Sequence, residues 1–303
     1  MKAILYRHYG GPEVLELAEV ADPKLSQNSV LVRIKAAALN PADVQLQAGL
    51  GKSHTDAWFP VIPGWDMAGL VEAVGPGVTE YRPGDAVIGY VRQEILHHGT
   101  YAEKVSTPVE TLAPKPAGVS WEEAAGLPLA GLTAYRALFS SLHIQPRERL
   151  LVLGASGGVG SLAAQLARNS GADVTGVASL MNQDYLRSLG IRPLAYGRGL
   201  VRQIGGTGFP FDATLDCAGN GALDAIRPAI GHRPRIASIV GQGPGITTVF
   251  ARSDASVLSE LSKMVSSGTL KVAVAGSYPL EQAAEAQRAL QRPRAAGKIV
   301  LTI

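Results

Sequence analysis

The run Leu150-Leu151-Val152-Leu153-Gly154-Ala155-Ser156-Gly157-Gly158-Val159-Gly160 places four aliphatic residues before a glycine turn that opens into an Ala/Leu-rich stretch. Glycines at such a turn let the backbone approach a pyrophosphate, and the free N–H groups at a helix start bind its charge. A glycine turn can also join strand to helix with no ligand. Here it stands in a strand–turn–helix context with further such units behind it, which favours a dinucleotide. An NAD-specific site places an acid about 20 residues on, at the end of the next strand, to bond the adenosine ribose. That strand, 174–178, ends in Ala178 and is followed by Ser179, which repels no 2′-phosphate and can donate a hydrogen bond to it. The cofactor expected is therefore NADPH. Tyr196, in the next loop, is either a second donor or a half-buried turn aromatic.

Other reactive side chains point to less. Cys217 follows a strand ending at Asp216, where a Rossmann chain passes the adenosine, and no histidine is near it in sequence, so it reads as a thiol beside the cofactor rather than a nucleophile. His97 and His98 are adjacent, face opposite sides of any strand, and read as a solvated loop rather than metal ligands. Asp212 and Asp216 have no obvious carboxylate partner, and the Leu258, Leu261, Val265 stripe has the helical spacing of a core face.

These residues need elements to hold them. Over 303 residues, 46% apolar and 17% charged, the chain can bury about two domain cores, which excludes a largely disordered protein. The first 115 residues read as short β segments, 29–34 and 69–74 among them. Ser120-Trp121-Glu122-Glu123 then matches a capping box and starts a helical stretch. From there strands at 150–153, 174–178, 211–215 and 236–240 alternate with helices at 161–169, 184–189, 223–230 and 254–265, the grammar of a parallel doubly wound sheet. A helix at 280–290 precedes an alternating segment, 298–303, which needs a sheet to join, and the β-rich N-terminal half is the expected one. The net charge is +3, and the basic residues are scattered; the densest stretch, Gln291-Arg292-Pro293-Arg294, holds two, so no nucleic-acid partner is expected. A single cysteine excludes an internal disulfide and a four-thiolate zinc site and fits a reducing cytoplasm. No membrane span or signal peptide is expected.

Six motifs in order carry a family resemblance: Asn40-Pro41-Ala42-Asp43; Pro60-Val61-Ile62-Pro63-Gly64-Trp65-Asp66-Met67-Ala68-Gly69; Gly99-Thr100-Tyr101-Ala102-Glu103; Leu127-Pro128-Leu129-Ala130-Gly131-Leu132-Thr133-Ala134; the glycine loop; and Gly297-Lys298-Ile299-Val300-Leu301. Over nearly its whole length the chain resembles a zinc-independent medium-chain dehydrogenase/reductase of the quinone oxidoreductase, zeta-crystallin-like, group. The resemblance implies an α/β fold with a GroES-like β-rich catalytic domain, 1–118 with 268–303, and a Rossmann domain with a doubly wound parallel sheet, 119–267. NADPH would lie between them on Thr133, Gly154, Ala155, Ser156, Gly157, Gly158, Val159, Gly160, Ala178, Ser179, Tyr196, Cys217, Ala218, Val240, Gly241 and Lys298. Zinc relatives carry a cysteine and a histidine where this chain has Asn40 and Trp65, neither able to ligate the metal.

Without a Lewis acid, the chemistry expected is hydride transfer to a conjugated acceptor, a quinone or another α,β-unsaturated carbonyl, with the proton from solvent or a pocket donor. The resemblance implies that Asn40 sits near the nicotinamide and the acceptor carbonyl, and that Asp43 shapes the pocket. Relatives often carry a tyrosine two residues after that aspartate; this chain has Gln45, the next residue to orient an acceptor. An aromatic platform would then fall to Trp65, Trp58 or Phe59, the last two of which otherwise serve packing. An enoyl-thioester or alkenal reductase shares the fold, cofactor and hydride step. A binding protein that uses the fold as an NADPH-gated scaffold for RNA or a partner is the alternative from another class. In relatives two subunits join Rossmann sheets edge to edge, and 269–275 or 246–250 would serve here, so a homodimer is expected.

Overall fold

The computed structural model describes residues 1–208, 210–231, 234–292 and 296–303; Pro293 and Arg294 of the basic stretch lie outside the described residues. One sheet is six-stranded and wholly parallel, in the spatial order Arg192–Ala195, Asp173–Ala178, Arg149–Leu153, Ala213–Asp216, Arg235–Ser238, Thr247–Thr248. Numbered along the chain, that order is 3-2-1-4-5-6, the Rossmann arrangement. Its central strand is buried on both faces because successive side chains point to opposite sides. Leu150 and Val152 join one core with Leu162 and Leu166 of the helix Gly158–Asn169, while Leu151 and Leu153 join the other with Leu200, Ile204 and Leu223.

The second sheet has seven strands. Val274–Pro279, Lys298–Thr302, Ser29–Ala38, Asp66–Val74, Ala86–Tyr90 and Leu112–Pro114 run side by side, and Lys104–Pro108 also pairs with Ser29–Ala38. The C-terminal strand thus joins the N-terminal sheet as its alternation required, antiparallel to Ser29–Ala38 and parallel to Val274–Pro279. Of the two segments offered as a Rossmann edge, the one at 246–250 holds the outer strand Thr247–Thr248, whereas the strand beginning at Val274 belongs to the other sheet.

Two helix starts bring the halves together. At Ser120 the capping box forms in full: the Glu123 N–H donates to Ser120 Oγ at 3.1 Å, and the Ser120 N–H donates to Glu123 Oε2 at 2.9 Å. The helix Pro128–Tyr135 then runs between the two sheets, and its second residue, Leu129, donates its N–H to Asp66 Oδ1 at 2.8 Å. Asp66 opens the strand Asp66–Val74 of the seven-stranded sheet, so one carboxylate ties that sheet to the entry of the parallel-sheet half.

Candidate active site

Beyond the C-terminal ends of Arg149–Leu153 and Ala213–Asp216, where the strand order of the parallel sheet reverses, lies a cleft of about 610 Å³. Gly154, Ser156, Gly157, Tyr196, Cys217 and Ala218 line it. Gly154 has φ of +73°, and a Cβ there would meet the Cys217 carbonyl oxygen at 2.9 Å, so only glycine makes this turn beside the neighbouring loop. A Cβ on Gly160 would lie 2.2 Å from the Gly154 carbonyl oxygen, and one on Gly158 would lie 2.7 Å from Lys298 Cδ. Gly157 differs. Its nearest neighbour to an added Cβ is the Gly154 oxygen at 3.4 Å, an ordinary contact, and it precedes the helix Gly158–Asn169 without any side-chain cap. The N–H groups of that first turn have no intrahelical partner and face a space that protein atoms leave open, which fits a pyrophosphate.

The loop at 217–222 that also lines the cleft is held by side chains the sequence did not single out for the task. Asp216, buried, accepts from the Ala218 N–H at 2.9 Å and the Gly219 N–H at 3.2 Å through Oδ1, and from Ser238 Oγ at 3.2 Å through Oδ2. Ser238 Oγ in turn accepts from the N–H groups of Val240, at 3.2 Å, and Gly241, at 2.8 Å. Two loops at the strand ends are thereby shaped by one carboxylate. Arg292 also borders the cleft, 3.8 Å from Glu285, and brings positive charge to it.

A second polar centre is sealed inside the protein. Lys298 on the C-terminal strand donates from Nζ to Asn40 Oδ1 and lies 3.4 Å from Asp66 Oδ2. The Asn40 Nδ2 group donates to Asp66 Oδ2 at 3.0 Å. Asn40 precedes the helix Pro41–Gln47, and its N–H donates to Asp43 Oδ2 at 2.8 Å, an oxygen that also accepts from the Tyr101 hydroxyl at 3.0 Å. The other oxygen, Asp43 Oδ1, is buried with no partner. Burial pushes the Asp43 carboxyl up to about 7, against the pull of the Asn40 N–H, with the nearby Asp66 charge adding to the rise. Burial likewise raises Asp66, opposed chiefly by the Lys298 ammonium. The centre touches the cleft: the Gly297 N–H donates to the Ser156 carbonyl at 3.0 Å, and the Lys298 stem packs where a Gly158 side chain would be.

Comparison with known proteins agrees with this architecture. Residues 26–117 match the alcohol dehydrogenase GroES-like domain, and residues 189–301 match the zinc-binding dehydrogenase family. An NADPH-dependent alkenal/one oxidoreductase of Arabidopsis thaliana is 33% identical across 99% of this chain and 79% of its own length. The chain belongs to the medium-chain dehydrogenase/reductase family. It is 29% identical to a quinone oxidoreductase of Mus musculus, across 94% of this chain and 92% of the mouse protein. Among solved structures an NAD-dependent alcohol dehydrogenase superposes with a TM-score of 0.92 at 32% identity, covering all of both chains. The medium-chain fold makes this chain an oxidoreductase with a nicotinamide cofactor, and the cleft with its open Gly157 is where the residues fit one.

Against the family pattern, several residues sit differently from expectation. Asn40 is expected to face the acceptor carbonyl, yet both ends of its carboxamide are bonded inside the protein, to Lys298 and Asp66, because a buried ammonium needs an acceptor and a buried carboxylate a donor. Gln45 is exposed on the helix Pro41–Gln47 and takes no part in the buried centre. Tyr196 lines the cleft: its hydroxyl accepts from the Gly154 N–H at 2.6 Å, and desolvation of the hydroxyl pushes it up to about 12 although the residue is 37% exposed. The hydroxyl keeps its own O–H as a donor while it holds the glycine turn. The Thr133 hydroxyl is spent on the Leu129 carbonyl at 2.7 Å, and Ser156 Oγ accepts from Asn182 Nδ2 at 3.0 Å. The Ala155 N–H bonds the Val177 carbonyl, Val159 lies in the first turn of its helix, and Ser179 is exposed at the end of Asp173–Ala178. Burial raises the Cys217 thiol well above its ordinary value, so it stays protonated and is no nucleophile.

Aromatic positions also resolve. Phe59 meets Tyr6 and Tyr9 edge-on, with centroids 5.8 and 5.2 Å apart, and Trp58 meets His97 edge-on at 6.3 Å; both rings are partly exposed, Trp58 the more so. The Trp65 ring has Arg92 over it at 5.5 Å and Tyr90 at its edge. His97 and His98 do not diverge. They end a three-residue strand, Leu96–His98, and their rings lie 3.8 Å apart because His97 Nδ1 is held by the Trp58 and Pro60 carbonyls at 2.7 and 3.1 Å. Among the described residues no group of three or more His, Cys, Asp or Glu side chains is arranged to hold a metal ion.

Proposed function

We propose that this protein is an NADPH-dependent reductase that delivers hydride to a quinone or another α,β-unsaturated carbonyl without zinc. The observation that carries the reading is the Lys298 ammonium on Asn40 and Asp66: Asn40 stands at a position that matches a zinc ligand of relatives, and its oxygen holds an internal cation instead. Zinc, a borderline-soft ion, finds no thiolate or imidazole at that position to replace the ammonium. The alkenal and quinone activities named for the two curated relatives support the acceptor class. Bound in the cleft, NADPH supplies the hydride; the chain's part is to hold the pyrophosphate on the Gly157–Gly160 turn, shape the facing loops through Asp216, and keep the Asn40–Asp66–Lys298 centre away from bulk water. Such surroundings strengthen every polar contact made to charge that develops on the acceptor.

A panel of quinones, enones and enoyl thioesters assayed for NADPH oxidation tests the reading, with turnover expected on quinones or enones and unchanged after chelator treatment. No oxidation with any acceptor, or activity restored only by added zinc, overturns it. The preference for NADPH rests on Ser179, which is exposed and has no carboxylate beside it in sequence. Ser179→Asp is expected to shift the NADPH-to-NADH affinity ratio by roughly tenfold or more toward NADH, since an anion there repels the 2′-phosphate. Equal wild-type affinities in a titration would remove the argument. The domain division at 118 and 268, a cytoplasmic location and a two-fold dimer pairing through Thr247–Thr248 belong to the same proposal. Among the described residues no helix is long and apolar enough to cross a membrane.

A further inference from the structure

Beside Asp43 lies a small recess, partly open to the surface, with about 20 Å³ of room, walled by Tyr6, Leu46, Val61, Ile62, Trp65 and the His97–His98 pair. A single water needs about 10–15 Å³, so the space admits one water or one oxygen atom of a ligand, and little else. Its walls are mostly apolar, and Asp43, only 4% exposed, brings a carboxyl to it. The two carboxyl oxygens are not equivalent. Oδ2 accepts from the Asn40 N–H and the Tyr101 hydroxyl, which leaves Oδ1, buried and without a partner, as the oxygen able to carry a proton. An unpaired buried polar atom is costly unless something meets it.

The geometry points to Asp43 as the proton donor of the reaction, with Oδ1–H directed at the acceptor's carbonyl oxygen, which takes the place of one water in this space. The inference rests on the reading above that the acceptor is a conjugated carbonyl. Hydride arriving at the β-carbon of an enone forms a C–H bond and sends the C=C electron pair through to the carbonyl oxygen. The Oδ1–H bond then breaks and its proton joins that oxygen, giving an enol that tautomerises to the ketone in water. The remaining carboxylate is held by the Asn40 N–H and the Tyr101 hydroxyl until it takes a proton back from solvent, which reaches the space by way of exposed His98. A neutral carboxylic acid near physiological pH is the form required, and burial keeps Asp43 in it up to about 7. The other titratable groups that face it are Tyr6, Tyr90, Tyr101, Asp66, Lys298, His97 and His98; Asp66 favours the neutral form and Lys298 the charged one.

Two variants and one spectroscopic measurement test this. Wild-type turnover at saturating NADPH should fall above about pH 7 as Asp43 ionises. Asp43→Asn keeps the shape but has no acidic proton, and it should lose roughly 100-fold or more in turnover and show no such limb, with NADPH affinity unchanged. Tyr101→Phe removes a donor that favours the carboxylate, so its limb should move to higher pH. A merely structural role for the pair would lower stability and leave the limb in place. In difference infrared spectra without substrate, a protonated-carboxyl band should titrate near pH 7 in the wild type and be missing from Asp43→Asn. Absence of the band, or an Asp43→Asn variant that keeps the wild-type limb, overturns the inference. A band that titrates as stated while no acceptor in the panel oxidises NADPH overturns the acceptor reading instead.

Discussion

Lys298→Met is expected to destabilise the protein by about 3–5 kcal/mol at neutral pH, because it removes one partner of a buried ion pair and leaves the other uncompensated. Asp66 is fully buried and loses its nearest positive charge, and Asn40 Oδ1 loses the donor it now accepts from. Asp66 keeps only the Leu129 N–H and the Asn40 amide, neither of which carries a charge. The strands that Lys298 and Asp66 occupy flank Ser29–Ala38, and Asp66 also anchors the helix Pro128–Tyr135, so the loss falls on the joint between the two sheets. Denaturant unfolding of the wild type, Lys298→Met, Asp66→Asn and the double variant measures it. The double variant should recover much of the loss, since neither charge is then left alone. A cost below about 1 kcal/mol for Lys298→Met, the range of exposed pairs, would mean that the ammonium is not a structural element of the centre.

Gly157→Val should cost NADPH several kcal/mol of affinity in a protein that still folds. The backbone at Gly157 is extended, at φ −76° and ψ 174°, which valine adopts readily, and its Cβ would meet nothing closer than 3.4 Å. The added side chain therefore occupies only the space offered to the pyrophosphate, and each charge-assisted hydrogen bond it displaces is worth about 1.5–3 kcal/mol. Gly160→Val is the contrasting case. Its Cβ would lie 2.2 Å from a backbone oxygen, so the turn itself must shift and stability falls first. Calorimetric or fluorescence titration of Gly157→Val with NADPH, alongside a melting curve, separates the two effects. An unchanged affinity in the folded variant would reduce the loop to a strand–helix connection with no ligand role.

Local patterns were sufficient for the parallel sheet. Four consecutive aliphatic residues at 150–153, a glycine turn and a helical stretch leave few structures that bury both faces of a strand, and the capping box at Ser120 signals its helix through four adjacent residues. The strand Arg192–Ala195 was not legible, because its arginine and proline suit only a sheet edge, and an edge is a property of the neighbours. The helix Leu200–Gly205 was missed for a like reason, its short apolar face being decided by contact with Leu151 and Leu153. At the site, the glycine turn could be read because Gly154 and Gly160 act through the backbone and through local spacing. What Asn40 does could not. Its partners Lys298 and Asp66 are 258 and 26 residues away, and only the pairing of the last strand with Ser29–Ala38 brings the ammonium to it. Sequence spacing settles which groups share a turn or a face. Burial, which determines whether a carboxyl such as Asp43 is charged or neutral and which of its oxygens is free, arises only when distant segments close over it.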